Sequence, residues 1–380
     1  MKVSIVPCGD YREQTVQRAM AAVLAPLGGL EWVTSGMTIA IKTNLVTFAH
    51  PDTATTTHPA LLCALIRMLR ARGAKVIVGD SPGGLYNHAF VNRVYAATGM
   101  KAVEAAGAIL NQNFTERETQ YEGAEVLHHF TYTAWLDDAD AIIDFCKLKT
   151  HGMMGMSAAA KNMFGAIPGT MKPEYHYRFP QHDAFANMIV DLDEYFKPRL
   201  SIVDAVIGME GNGPTAGTPR PIGALAASAN PHALDLLCAQ LIGIDTAHVP
   251  TLQAAIRRNL IPAEINALEI CGDWRSLCVS DYQLVQQHSV QFYQDGKSLI
   301  GRWSGVVMQK VLASVPKLQA DECVGCGECA RICPADAIQM VSRRPQINRR
   351  KCIRCFCCQE FCPKGAMKVH RPFIAQLLDH

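Results

Sequence analysis

Nine of the fifteen cysteines fall between residues 323 and 362. Eight of them stand in two runs, CVGCGECARICP and CIRCFCCQEFCP, and each run reads C-x2-C-x2-C-x3-C followed by proline. Thiolates at that spacing wrap the corners of a 4Fe–4S cluster, and the fourth cysteine of each run reaches across to the other cluster. This assigns Cys323, Cys326, Cys329 and Cys362 to one cluster, and Cys352, Cys355, Cys358 and Cys333 to a second. A zinc site is a poorer fit, because zinc takes four ligands in all and not four per run. Cys357 is the ninth cysteine; it reads either as packing or as an alternative ligand.

A second group of chemically capable residues lies upstream, in apolar or glycine-rich surroundings. The stretches are IKTNLV (41–46), GDSPGG (79–84), KLKTHGMMGMSAAAKNMFGAIPG (147–169) and DAVIGMEGNGPTAGTPR (204–220). If KLKTH is extended, Lys147, Lys149 and His151 share one face. Lys161 and Asn162 follow beside Gly165, and Lys42 leaves a separate strand end. Open α/β sheets gather ligands at the carboxyl ends of their strands. Lysine, histidine and asparagine converging there on a glycine-lined backbone suit an anionic small molecule. A desolvated lysine serves as acid or base, and His151 is a proton donor by type. The methionines of 153–156 read as flexible packing. GDSPGG lacks the G-K-[ST] of a phosphate loop, and no G-x-G-x-x-G opens a helix, so neither a nucleotide nor a flavin is expected.

These motifs, above all K-T-H followed by K-N-x-F-G and D-x-x-x-G-M-E-G-x-G-P, resemble the domain-of-unknown-function 362 family over roughly residues 1–250. That family is often fused to a bacterial-type two-cluster ferredoxin, which the cysteine runs resemble. The resemblance implies that Lys42, Asn44, Asp80, Lys149, Thr150, His151, Lys161, Asn162, Asp204, Glu210 and Gly211 belong to the site. Among these, His151, Lys149 and Lys161 are the expected catalytic groups. Lys42, Asn44, Asp80, Thr150, Asn162, Glu210 and Gly211 are the expected substrate contacts. Asp80 has a second reading as an Asx turn, and Glu210 and Gly211 a second reading as turn formers. Family members usually have Thr-Gly where this chain has Ser157-Ala158, and Lys-Pro-Asn where it has Lys42-Thr43-Asn44.

Several elements must position these groups. Residues 2–6, 37–46, 75–84, 139–149 and 199–221 read as strands, the last entering a long Gly/Pro loop. Gln14–Leu27, a run opened by Pro59 and stopped at Gly73, and Ala184–Tyr195 read as helices, with His58 as an entry residue. Residues 222–229 and 232–244 read as strand, then helix. Strand–helix–strand spacing predicts an α/β fold with a mainly parallel sheet. A small ferredoxin-like α+β two-cluster domain follows at the C-terminus. The expected division is 1–315 and 316–372. The small domain repeats itself at an offset of 29 residues, with PKLQADEC (316–323) matching PQINRRKC (345–352).

The chain carries a net charge of +2, which calls for neither nucleic acid nor membrane. Residues 316–372 hold eleven Lys/Arg and five Asp/Glu, either a solvated face or a dock for an acidic donor. Six scattered cysteines and no signal-like start point to a cytoplasmic, reducing, anaerobic setting. The expected function is an iron–sulfur oxidoreductase. It passes electrons between a ferredoxin-like donor or acceptor and an anionic substrate through two 4Fe–4S clusters. The alternatives are an electron carrier or iron–sulfur assembly factor whose large domain only docks, and a redox sensor.

Overall fold

The computed structural model describes residues 1–285 and 315–370. The rest of the expected first domain, 286–314, and the last two residues of the second lie outside the described residues. In chain order the strands are β1 (Lys2–Pro7), β2 (Thr38–Lys42), β3 (Lys75–Gly79), β4 (Ile109–Leu110), β5 (Glu116–Gln120), β6 (His129–Thr133), β7 (Ala141–His151) and β8 (Gly155–Ser157). They continue with β9 (Leu200–Glu210), β10 (Thr218–Ser228), β11 (Glu269–Cys271), β12 (Val315–Leu318), β13 (Ile338–Val341), β14 (Arg344–Ile347) and β15 (Met367–His370).

Among the described residues the large sheet runs β11-β1-β10-β9-β7-β2-β3-β4, with β8 folded back on β7. It is mainly parallel: β7 pairs in parallel with both β2 and β9, and β2 with β3. Alternation along β2 explains the layering. Ile39 and Ile41 pack with the helices Glu13–Leu24 and Pro59–Ala71, while Ala40 faces the helix His182–Phe196. Both faces are therefore covered, as a parallel sheet requires. The helix Pro59–Ala71 starts as its sequence dictates. Pro59 occupies the first turn, and His58 Nδ1 accepts the Ala60 amide at 3.2 Å.

The Gly/Pro loop expected after β9 is present but limited to residues 211–217. β10 begins at Thr218 and runs antiparallel to β9, with a register shift between Pro221 and Ala224. Pro219 and Pro221 lie inside the strand, at its outer end. Residues 88–138 hold two short helices and the strands β4 to β6, none of them foreseen from the pattern of residues.

In the C-terminal part the two repeats exchange strands. β12 of the first pairs with β15 of the second, and β13 pairs with β14. Each repeat has a one-turn helix, Glu328–Arg331 or Cys357–Glu360, after its cysteine loop. Among the described residues no helix is long and apolar enough to cross a membrane.

Candidate functional site

β2, β3 and β7 deliver their ends to one place. Lys42 closes β2 beside Gly79 at the end of β3 and beside Asp144 in β7. A cavity of about 490 Å³ opens at these carboxyl ends. Lys42, Asn44, Asp80, Lys149, Lys161 and Asn162 all line it, as does Lys147.

Their polar atoms form one network. Lys42 Nζ lies 2.8 Å from Asp80 Oδ1, and it donates to Thr43 O at 2.7 Å and Asn162 Oδ1 at 3.2 Å. Asp80 Oδ2 accepts the Leu45 amide at 2.8 Å. Asn44 Nδ2 also donates to Asn162 Oδ1, and Asn44 Oδ1 accepts Lys149 Nζ at 2.7 Å. Lys149 donates further to Thr55 O. Burial, then the neighbouring Lys161 and Lys147, pull the Lys149 pKa down to about 7. Burial likewise lowers Lys161, whose ammonium sits 5.7 Å from the Phe164 ring centre. No described residue lies within hydrogen-bonding or ion-pair distance of that ammonium.

The helix that carries Lys161 and Asn162 is only one turn long, Ala159–Asn162. It is held from outside, because Asp235 accepts the Ala159 and Ala160 amides at 2.7 and 3.2 Å. Asn162 in turn donates to Asp144 Oδ1 at 2.6 Å.

Burial pushes the Asp144 pKa up to about 8 from an ordinary 3.8. The folded carboxyl thus keeps its proton where the unfolded one has lost it. Its contribution to stability is whole below the unfolded pKa and disappears as pH rises through about 8. The loss runs at about 1.4 kcal/mol per pH unit. Asp144→Asn should remove this slope while still accepting from Asn162. Urea midpoints at pH 5 and pH 8 test it: the variant's advantage should widen with pH, and a constant gap would refute the assignment.

Four expected contacts lie off the cavity. Thr150 Oγ1 donates to Gly211 O at 2.9 Å and accepts the Gly213 amide, so it braces the β9–β10 turn. Gly211 supplies that carbonyl and has φ 74°, a turn conformation. Glu210 Oε2 accepts the Gln283 amide at 3.1 Å. His151 is fully buried and does not line the cavity. Its Nδ1 accepts the Met153 and Met154 amides, which leaves the proton on Nε2, 2.7 Å from Glu360 Oε1. Burial and Lys161 pull the His151 pKa down to about 4, so the ring is neutral. Lys147 and Lys149 both reach the cavity, as the two-residue repeat of an extended strand predicts, but His151 does not. Lys147 pairs with Asp204 at 2.9 Å and with Tyr11 Oη at 2.8 Å.

Other cavity residues carried no sequence motif. Lys172 donates to Ser81 O, and burial brings its pKa to about 8. His176 is stacked on Phe185 at 4.3 Å, and burial holds it neutral down to about 3. The far wall comes from the C-terminal part: Glu328, Arg331, Glu360, Phe361 and Pro363. The only signal for these was position, since they flank Cys329 and Cys362.

The two parts are fastened next to this wall. Gln359 Nε2 donates to Asn212 Oδ1 at 3.0 Å and to Gly213 O at 3.0 Å. Phe361 fills the space beside Gly83 that a Cβ would take.

The cysteines fit 4Fe–4S clusters. Cys323, Cys326, Cys329 and Cys362 line one small cavity, and this cavity shares Glu328 and Pro363 with the larger one. Cys329 lies within electrostatic reach of Cys362, Cys326 and Cys323, and Cys352 within that of Cys355, Cys333 and Arg349. Amides point at the sulfurs in matching positions of both repeats. Ala337 N donates to Cys333 Sγ at 3.3 Å, and Ala366 N to Cys362 Sγ at 3.2 Å. Such bonds tune cluster potential. Cys357 is buried with Ile332 and Cys355, as packing would have it.

A mainly parallel α/β sheet with a site at its strand ends, joined to a cysteine-rich duplicated module, defines the class. The chain belongs to the DUF362 family (domain of unknown function), whose sequence model matches residues 39–240, and a 4Fe-4S dicluster domain matches residues 316–363. The dicluster domain equips the chain for electron transfer, and two clusters agree with its description. The chain is 30% identical over 290 residues to the thylakoid-associated protein sll1697 of Synechocystis sp., covering 74% of this chain and 87% of that protein. It is similar to a crystal structure of a Thermotoga maritima protein, at 14% identity and TM-score 0.36, over 57% of this chain and 55% of that one. It is also similar to the lactate racemase apoprotein of Thermoanaerobacterium thermosaccharolyticum, at 13% identity and TM-score 0.41, over 64% and 57%. The chain thus spans a little over half the length of each solved structure.

Proposed function

We propose that this protein is an iron–sulfur oxidoreductase whose substrate is an anionic small molecule bound in the cavity. One observation carries the reading: a single cavity is walled by the strand-end lysines on one side and by residues flanking Cys329 and Cys362 on the other. When bound, the clusters supply single electrons. Lys161 attracts the anion and, with its pKa lowered by burial, can give up a proton. Lys149 supports it from behind, held by Asn44 and Thr55. His151 acts at a distance, as a neutral ring that orients Glu360 on the far wall. A soluble ferredoxin-like protein is the natural redox partner, and a reducing cytoplasm the natural setting. The division near residue 315 separates the substrate-binding and electron-carrying parts.

The test is reoxidation of dithionite-reduced holoprotein, followed by cluster absorbance, against a panel of carboxylates and phosphate esters. A substrate should reoxidise the clusters, and Lys161→Met should slow this by about 100-fold. Ferricyanide should oxidise both proteins alike. If no anion reoxidises the clusters, and the holoprotein instead transfers them to an apo-ferredoxin, the carrier or assembly reading replaces this one.

A further inference from the structure

The charge inventory of the cavity is unbalanced. Lys42 is paired with Asp80, Lys147 with Asp204, and Arg331 with Glu328. Lys149, Lys161 and Lys172 have no carboxylate within ion-pair distance among the described residues. The acid that faces them, Glu360, is bonded to His151. Burial lowers all three lysines, and Lys149 and Lys172 are further lowered by the charge on Lys161. An anion seated here relieves that repulsion.

Backbone amides of a glycine-rich loop or a helix start are what hold phosphates. Several of those beside this cavity are already taken. Ser81 N donates to Gly165 O, and Gly83 N to Val46 O at 2.7 Å. The amides that open the Ala159–Asn162 turn go to Asp235. The positive charge of the cavity is side-chain ammonium, which suits a compact carboxylate.

One stretch of the lining is apolar. Phe48 and Phe90 meet edge to face at 4.9 Å, and Gly84 leaves the room that the Phe90 ring occupies. Phe48 and Leu85 are 42% and 51% exposed at the mouth of the cavity. Between this rim and the lysines lies Phe164, with Lys161 and Lys172 within 6.0 Å of its ring centre. His176 Nδ1 is buried beside Phe164 without a hydrogen-bond partner among the described residues, so a polar atom is left for a ligand.

We propose that the cavity selects an amphipathic monocarboxylic acid. Its carboxylate sits at Lys161 and Lys172, and its apolar body lies along Phe164, Phe90, Phe48 and Leu85. This rests on the reading of the cavity as the substrate site and names the class of substrate. Sugar phosphates and small hydrophilic acids are the ligands it disfavours.

Calorimetric titration of the oxidised holoprotein, kept anaerobic, tests it with four probes: trans-cinnamate, cinnamyl alcohol, acetate and glucose 6-phosphate. Cinnamate should bind about tenfold or more tightly than each of the others. Lys161→Met should erase the preference for cinnamate over the alcohol. Phe48→Ala should erase most of its preference over acetate. Iron content and thermal midpoint, unchanged in both variants, separate these effects from misfolding. Tighter binding of glucose 6-phosphate or acetate, or no binding of cinnamate, overturns the proposal. No electron transfer is needed for this measurement, so the two readings fail separately. A tightly bound aromatic acid whose relatives never reoxidise the clusters sinks the redox reading alone. A sugar phosphate that binds and does reoxidise them sinks the substrate class alone.

Discussion

Lys147→Met is expected to destabilise the protein by about 3–5 kcal/mol, the usual result of removing one partner from a buried ion pair. Lys147 and Asp204 stand side by side in the parallel ladder of β7 and β9, and both side chains are wholly inaccessible. Burial lowers the Lys147 pKa, and Asp204 acts against that shift. Tyr11 Oη, the His58 amide and the Val206 amide also donate to Asp204, so the carboxylate would remain buried with dipoles alone around it. The damage reaches two further elements, since His58 opens the helix Pro59–Ala71 and stacks on Tyr11 at 3.6 Å. The double variant Lys147→Met/Asp204→Asn should recover about half of the loss, because the orphaned charge is gone while an acceptor remains. Urea unfolding of the single and double variants decides it. A single variant within about 1 kcal/mol of wild type would show that the pair contributes little.

Gly165→Ala is the second large effect. A Cβ on residue 165 would fall within contact distance of Asp80 Oδ1 and of Lys42 Cε and Nζ. The Lys42–Asp80 pair occupies the space that a side chain would need, so the final glycine of K-N-x-F-G is there to admit it. One methyl group must then push apart a pair whose side chains are at most 4% exposed. Overpacking and a broken buried pair together should cost about 3 kcal/mol or more. Asp80 would also lose its grip on the Leu45 amide, and the strand end that shapes the cavity would shift. Gly9→Ala is the matched control, since nothing lies within 4 Å of its Cβ position, and it should change stability by less than about 0.5 kcal/mol. Equal midpoints for the two variants would refute the steric account.

Much of the fold was legible because its signals are local. Pro59 and Gly73 bracket a helix, and the apolar runs at 37–46, 75–84 and 139–149 became β2, β3 and β7. The start of β10 reads as loop because Pro219 and Pro221 look like loop residues, yet they sit where β10 pairs with β9 alone, beyond the reach of β1, so a missing amide is tolerated. The strands β4 to β6 escaped notice because they are short or exposed and carry little alternation. In the site, six residues expected to touch the ligand do line the cavity. Thr150, His151, Glu210 and Gly211 do not, although Thr150 is adjacent in sequence to Lys149.

By itself the sequence determined the cysteine chemistry, the parallel sheet and the set of lysines. Each follows from spacing along the chain: thiolates close enough to share a cluster, strands long enough to pair, ammoniums at strand ends. The tertiary structure alone decided which of those lysines carry an unpaired charge, because that depends on carboxylates far away in sequence. Asp80 takes Lys42 and Asp204 takes Lys147, whereas Lys149, Lys161 and Lys172 are left facing one hollow. It also decided that His151 bonds to Glu360 and does not line the cavity, because Glu360 is brought to it from more than two hundred residues away in sequence. Burial and pairing are sums over the whole fold, and no stretch of sequence contains them.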